Sequence, residues 1–154
     1  MTLWGVGPWF AMISVLCYLG AFWLQYHYSN FFTVDCIPLM ISVIAGGVLL
    51  AVGLPFWFIS ARTIVRGFNE GRLVTDGVYS IVRHPLYASF MVCIAPAVAL
   101  FFRSLILLAV PVVMYVVFRI LIRREEDYLE RTFGTEYHEY RSRVNAVFPF
   151  PRLW

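Results

Sequence analysis

Arg83-His84-Pro85 stands directly before a long apolar run that begins at Leu86, so a cation, an imidazole and a helix breaker meet at one boundary. Proline is well placed at the first position of a helix, where its missing N–H would have had no partner, and Pro85 is therefore expected to open a helix. The amides of Leu86 and Tyr87 then fall among the unpaired donors of that helix start, at the positive end of its dipole. At a membrane boundary such a start suits an anion; the plainer alternative is Arg83 reaching out to lipid phosphate. A second cluster is Glu125-Glu126. On a helical projection Phe118, Leu121, Ile122, Leu129 and Thr132 share one face with Glu125 in its middle, while Glu126 lines up with Arg119 and Arg123. A carboxylate on an apolar face needs a donor, a cation or a proton. Glu125 is expected to meet a ligand, or an arginine from another segment such as Arg83, and Glu126 to form a solvated pair with Arg123. Arg119 lies well inside an apolar run, and as an intramembrane cation it is the candidate for holding a substrate's anion.

A helical membrane frame must position these groups. Of the 154 residues 61% are hydrophobic and only 14% charged, against about a quarter charged in soluble domains. A bilayer core takes about 20 apolar residues in a helix, and four runs qualify, at about 8–28, 37–59, 86–102 and 105–122. Arg103 and Ser104 alone separate the last two, which forces a tight antiparallel pair. Every basic residue is an arginine. Arg62, Arg66, Arg72 and Arg83 crowd the connection after the second run and six more follow Ile122, while the first loop has none. By the positive-inside rule both termini, the connection and the tail face the cytoplasm.

The expected fold is thus an all-α integral membrane protein, a single domain over 1–154 with four transmembrane helices. Its cytoplasmic loop 61–85 and C-terminal helical tail 123–154 are expected to form a ligand pocket, the cofactor pocket of the resemblance given below. In the loop, NEG and TDG are turn signals bracketing RLV, consistent with an ordered loop or a short extended segment. The fourth helix is expected to continue to about Thr132, break at Gly134 and resume from about Thr135 to Val144, with Pro149 and Pro151 ending regular structure. Arginines at the ends of apolar runs argue for membrane lipids as partners and against nucleic acid. Cys17, Cys36 and Cys93 are scattered without a CxxC, which indicates neither a disulfide framework nor a metal site.

An anion site at one helix start with a carboxylate at another helix end suits a zwitterionic ligand. S-adenosylmethionine is one; nicotinamide cofactors and lipid head groups are not separated from it by these residues alone. The stretch GRLVTDGVYSIVRHPLY, then two apolar helices, EEDYL, FGTEYHEYRSRV and a terminal FPF resembles the isoprenylcysteine carboxyl methyltransferase family and its phospholipid methyltransferase relatives. The resemblance covers roughly residues 71–150, in the family's order. It implies an S-adenosylmethionine-dependent methyltransferase acting on a lipophilic acceptor. It further implies that Gly71, Arg72, Leu73 and Val74 border the cofactor largely through main chain and that Tyr79 lines the pocket. His84, Pro85, Leu86 and Tyr87 would hold the methionine end, and Glu125 would accept from the cofactor. Tyr137, Tyr140 and Arg143 match the family's tail motif and suit a lid packed by its aromatics. Two positions depart from the pattern: Ser89 replaces a glycine, and Leu121 stands where prenylcysteine enzymes carry an arginine about one turn before the carboxylate pair. The acceptor therefore stays open among a prenylated thiol-carboxylate, an aminophospholipid and a small thiol. An NADPH-dependent membrane reductase and a non-enzymatic lipid- or partner-binding membrane protein are the competing readings.

Overall fold

Each apolar run becomes a helix whose ends are set by identifiable residues in the structure, a computed structural model that describes residues 6–150. Helix α1, Gly7–His27, has Pro8 in its first turn. After a single turn at Ser29–Phe32, helix α2 spans Leu39–Glu70. It continues past Ile59, where the run was expected to end, because nothing up to Glu70 breaks a helix. Gly71 then takes φ 64° and donates its N–H to the carbonyls of Gly67 and Phe68, a left-handed cap that glycine adopts without penalty. The first part of the loop expected at 61–85 is accordingly helix.

Helix α3, Pro85–Phe101, is predominantly apolar and opens on its proline as expected. Its middle, Phe90–Ile94, widens into a π turn in which the Ala95 N–H reaches Phe90 O. The cause is Pro96, which cannot donate to the carbonyl four residues back and whose ring pushes that carbonyl aside. Helix α4, Leu105–Phe133, is capped by Ser104, whose hydroxyl accepts from Leu107 N at 3.2 Å. Gly134 at φ 51° breaks it, and the short helix α5, Thr135–Arg143, follows, matching the pattern read from the sequence. Pro149 lies beyond regular structure; Pro151 and the rest of 151–154 lie outside the described residues.

Packing pairs α1 with α4 and α2 with α3. Gly53 on α2 makes the close approach to α3: a Cβ there would come within 2.5 Å of the Cys93 Cβ. Outward-facing residues are apolar, among them Met40, Ile44, Val48 and Val52 on α2 and Val112, Val116 and Ile120 on α4. In water such a surface would be untenable; against lipid it is the expected one. The described residues form an all-helical integral membrane protein in which α1, α2 and α4 are long and apolar enough to cross a bilayer and α3 is shorter. At one end of the bundle the α3–α4 turn is laced to the α1–α2 connection. Ser104 donates to Gln25 at 2.6 Å, Gln25 to Thr33 at 3.0 Å, and Arg103 to the Val34 carbonyl at 3.0 Å. The opposite end carries Arg83, His84 and the two glutamates.

Candidate functional site: a latched helix start facing two carboxylates

Between α2 and α3 the chain passes from surface to interior. Gly71 and Arg72 are exposed, and Arg72 is held in surface ion pairs with Glu70 at 2.6 Å and Asp76 at 3.6 Å. Leu73 and Val74 are buried. Leu73 packs with Tyr137 and Tyr140 of α5. The N–H and C=O groups of Leu73, Val74 and Thr75 have no hydrogen-bond partner among the described residues. Buried main chain is normally paired, so this strand-like stretch has bonding capacity left for a ligand. A tight turn at Gly77–Ser80 swings Tyr79 inward. Its hydroxyl donates to Ser60 O at 3.3 Å, and its carbonyl accepts from the Tyr140 hydroxyl at 2.6 Å. Burial, then the charge of Glu125 and the neighbouring Tyr140, pushes the Tyr79 phenol well above its ordinary range.

Arg83 does not reach out to lipid. It is 6% exposed, and it knits the helix start to the tail. Its guanidinium donates to Glu126 at 2.5 Å and to the carbonyls of Arg141 and Val144 at 3.0 and 2.8 Å. Its own N–H and that of His84 donate to the carbonyls of Asn145 and Ala146 at 2.8 and 3.0 Å. Glu126 is therefore not the solvated partner of Arg123: it is buried against Arg83, with His84 Nε2 at 3.4 Å and Arg141 at 3.6 Å. The helical projection failed because the buried line on α4 follows the four-residue row Val110, Met114, Phe118, Ile122, Glu126, which drifts around the helix as it crosses its neighbours.

Burial pushes the Glu126 carboxyl up, but the His84 hydrogen bond and then the charge and hydrogen bond of Arg83 outweigh it, holding it at about 2 against an ordinary 4.5. A depressed carboxylate contributes stability that is fully present above its unfolded value and is lost as pH falls through the folded one. The melting temperature in detergent micelles should thus decline between pH values near 4.5 and 2, with ~3 kcal/mol at stake. Glu126→Gln should flatten that limb; an unchanged slope would remove Glu126 as its cause.

The predicted ligand residues meet beside this latch. Tyr87 donates to Glu125 Oε2 at 3.3 Å, and His84 Nδ1 lies 3.8 Å from Glu125 Oε1. The His84 ring thus stands between two carboxylates, one nitrogen toward each. Glu125 is partly open, with 23% of its side chain exposed, and its partners leave acceptor capacity that Glu126 has already committed. Pro85 is buried, Leu86 half-buried, and the N–H groups of Leu86 and Tyr87 have no partner among the described residues. The Tyr137 hydroxyl is buried without a hydrogen bond; burial, then Glu126, pushes it well above its ordinary range. Tyr79, His84, Pro85, Tyr87 and Glu125 are brought together, whereas Gly71 and Arg72 are on the surface and Arg119 lies on a separate cleft lined by Phe118.

Sequence reasoning missed Glu126, Phe118 and the carbonyls of Asn145 and Ala146. Glu126 and Phe118 could have been found from the four-residue row. The carbonyls could not, because main-chain contacts leave no mark in residue type.

Residues 39–131 match the isoprenylcysteine carboxyl methyltransferase (ICMT) family. Over 86 residues the chain is 36% identical to protein-S-isoprenylcysteine O-methyltransferase B of Arabidopsis thaliana, covering 56% of this chain and 44% of that protein. It is 36% identical over 77 residues to protein-S-isoprenylcysteine O-methyltransferase of Schizosaccharomyces pombe, covering 50% and 33%. A third relative is the cobalt-zinc-cadmium resistance protein CzcN of Cupriavidus metallidurans, 30% identical over 112 residues, covering 73% and 50%. Among the described residues no group of three or more His, Cys, Asp or Glu is placed to hold a metal ion. No solved structure matches the chain significantly. The alignments span half or less of these relatives' length. The match takes in α2, α3, the Arg83-His84-Pro85 start and both glutamates, well over half of the sequence, and the chain belongs to the isoprenylcysteine carboxyl methyltransferase family.

Proposed function

We propose that this chain is an integral-membrane, S-adenosylmethionine-dependent methyltransferase acting on a lipophilic acceptor. The observation that carries the reading is the convergence of His84, Tyr87 and Glu125 beside main-chain groups that have no partner among the described residues. That donor and acceptor set fits S-adenosylmethionine, whose ammonium and hydroxyls can donate to Glu125 and whose carboxylate can accept from the α3 start. Gly71, Arg72, Leu73 and Val74 would border it through main chain, Tyr79 would line it, and His84, Pro85, Leu86 and Tyr87 would hold its methionine end. When bound, the cofactor supplies a methyl group already activated on a sulfonium, so no acid–base pair is required of the protein. The chain's own tasks are then to orient both partners and to exclude water; the buried tyrosines of α5 and the latch at Arg83 serve the second.

In this reading the whole chain is one membrane domain, the shorter α3 is the third of four spans, and the arginine-rich end with both termini faces the cytoplasm. Relatives named for isoprenylcysteine make a prenylated thiol-carboxylate the leading acceptor, with Arg119 as its anion partner. Calorimetry of the purified protein with S-adenosylmethionine and, separately, NADPH tests this. Heat with the first alone supports the proposal; heat with NADPH would replace it by a reductase, and heat with neither by a lipid- or partner-binding role.

A further inference from the structure

Buried polar side-chain atoms are normally hydrogen-bonded, so the exceptions in a structure call for a reason. Among the described residues three such atoms have no partner: the hydroxyls of Tyr18 and Tyr137 and the Nε of Arg83. Tyr18 stands on α1 among the rings of Phe22 and Phe90. The other two belong to the candidate site. Tyr137 is 1% exposed and Arg83 6%. Every other buried or half-buried tyrosine of the site has a partner: Tyr79 donates to Ser60 O, Tyr87 to Glu125 and Tyr140 to Tyr79 O. Arg83 commits Nη1 to the Arg141 and Val144 carbonyls and Nη2 to Glu126, which leaves its Nε–H over. Tyr137 packs against Leu73, whose own main-chain groups are without partners among the described residues. Glu126, Arg83, Arg141 and Glu125 all act on its phenol through their charges, and burial with Glu126 keeps that phenol protonated.

Resting on the methyltransferase reading, we infer that the Tyr137 hydroxyl and the Arg83 Nε–H receive the carboxylate at the amino-acid end of the methyl donor. A guanidinium nitrogen can only donate, and a neutral phenol donates readily, so what both lack is an acceptor. Glu126 does not supply it, being engaged by Arg83, His84 and Arg141. A carboxylate does: hydrogen bonds to an ionised oxygen are roughly twice as strong as neutral ones and offset the cost of burying the anion. Glu125 then remains for the ammonium of the same ligand. The His84 ring, with one nitrogen toward each glutamate, stands between the two poles. The α-amino-acid end is thus read by separate elements, its ammonium by α4 and its carboxylate by α5 and the start of α3. A hydroxyl that gains its partner only in the complex costs the free protein stability and contributes only once the ligand is bound.

The test is calorimetry on the full chain in detergent micelles, with S-adenosylmethionine and with its decarboxylated analogue, for the parent and for Tyr137→Phe. The variant removes one oxygen and keeps the ring. Its affinity for S-adenosylmethionine should fall by about tenfold or more, and its affinity for the analogue should change by less than about twofold. Its unfolding midpoint without ligand should equal or exceed the parent's, because the lost hydroxyl had no bond to break. Undiminished affinity for S-adenosylmethionine in Tyr137→Phe would overturn the inference. So would an equal loss with both ligands, which would set the hydroxyl against some other part of the ligand. A lower midpoint without ligand, or a variant that does not fold, would also overturn it, by showing that the hydroxyl is already satisfied in the free protein. The two ideas separate cleanly: if the parent binds S-adenosylmethionine and Tyr137→Phe binds it as well, only the Tyr137 assignment fails, whereas a parent that binds neither ligand removes the methyltransferase reading and this assignment with it.

Discussion

Arg83→Met should lower the stability of the purified protein by about 3–5 kcal/mol, the usual cost of leaving one member of a buried ion pair uncompensated. Three donors to the tail and to Glu126 disappear together, and the buried carboxylate is left with His84 and the more distant Arg141. The loss should be visible twice: as a fall in the midpoint of denaturant or thermal unfolding in micelles, and as faster tryptic cleavage after Arg141 and Arg143 once the tail lifts. The double variant Arg83→Met with Glu126→Leu should regain part of the stability, since an apolar pair removes the unpaired charge. A loss in the single variant below about 1 kcal/mol, the range of exposed pairs, would mean that Arg83 is not the latch.

Glu125→Gln should have the opposite signature. Removing one charge-assisted acceptor costs a ligand about 1.5–3 kcal/mol, or roughly 10- to 150-fold in affinity. Calorimetry should show that loss for S-adenosylmethionine while the unfolding midpoint stays near that of the parent, because Glu125 is partly open and its contacts are long. Glu126→Gln should show the reverse order, with stability falling first. If Glu125→Gln binds the cofactor as tightly as the parent, the ligand site does not include this carboxylate.

The helices were readable in the sequence because their boundaries rest on local chemistry. Pro85 opens α3, Gly134 at positive φ breaks α4, and the apolar runs set the lengths. The end of α2 was misplaced because hydropathy stops at Ile59 while helix-forming residues continue to the Gly71 cap. The neighbourhood of the two glutamates was half legible. A fixed projection put Glu125 among apolar residues, but the contact line drifts along the helix and buries Glu126 instead. Which arginine answers which carboxylate depends on how distant segments pack. Arg83 and Glu126 are joined across 43 positions, a separation no local pattern encodes.

The family match extends from residue 39 to residue 131, yet four of the five carbonyl and carboxylate groups that anchor Arg83 and His84 lie beyond it, at Arg141, Val144, Asn145 and Ala146. Tyr87 also leans on Phe10 at 4.9 Å, far upstream of the matched stretch. A fragment trimmed to those boundaries would keep Arg83-His84-Pro85 and both glutamates and forfeit the scaffolding that gives them their geometry.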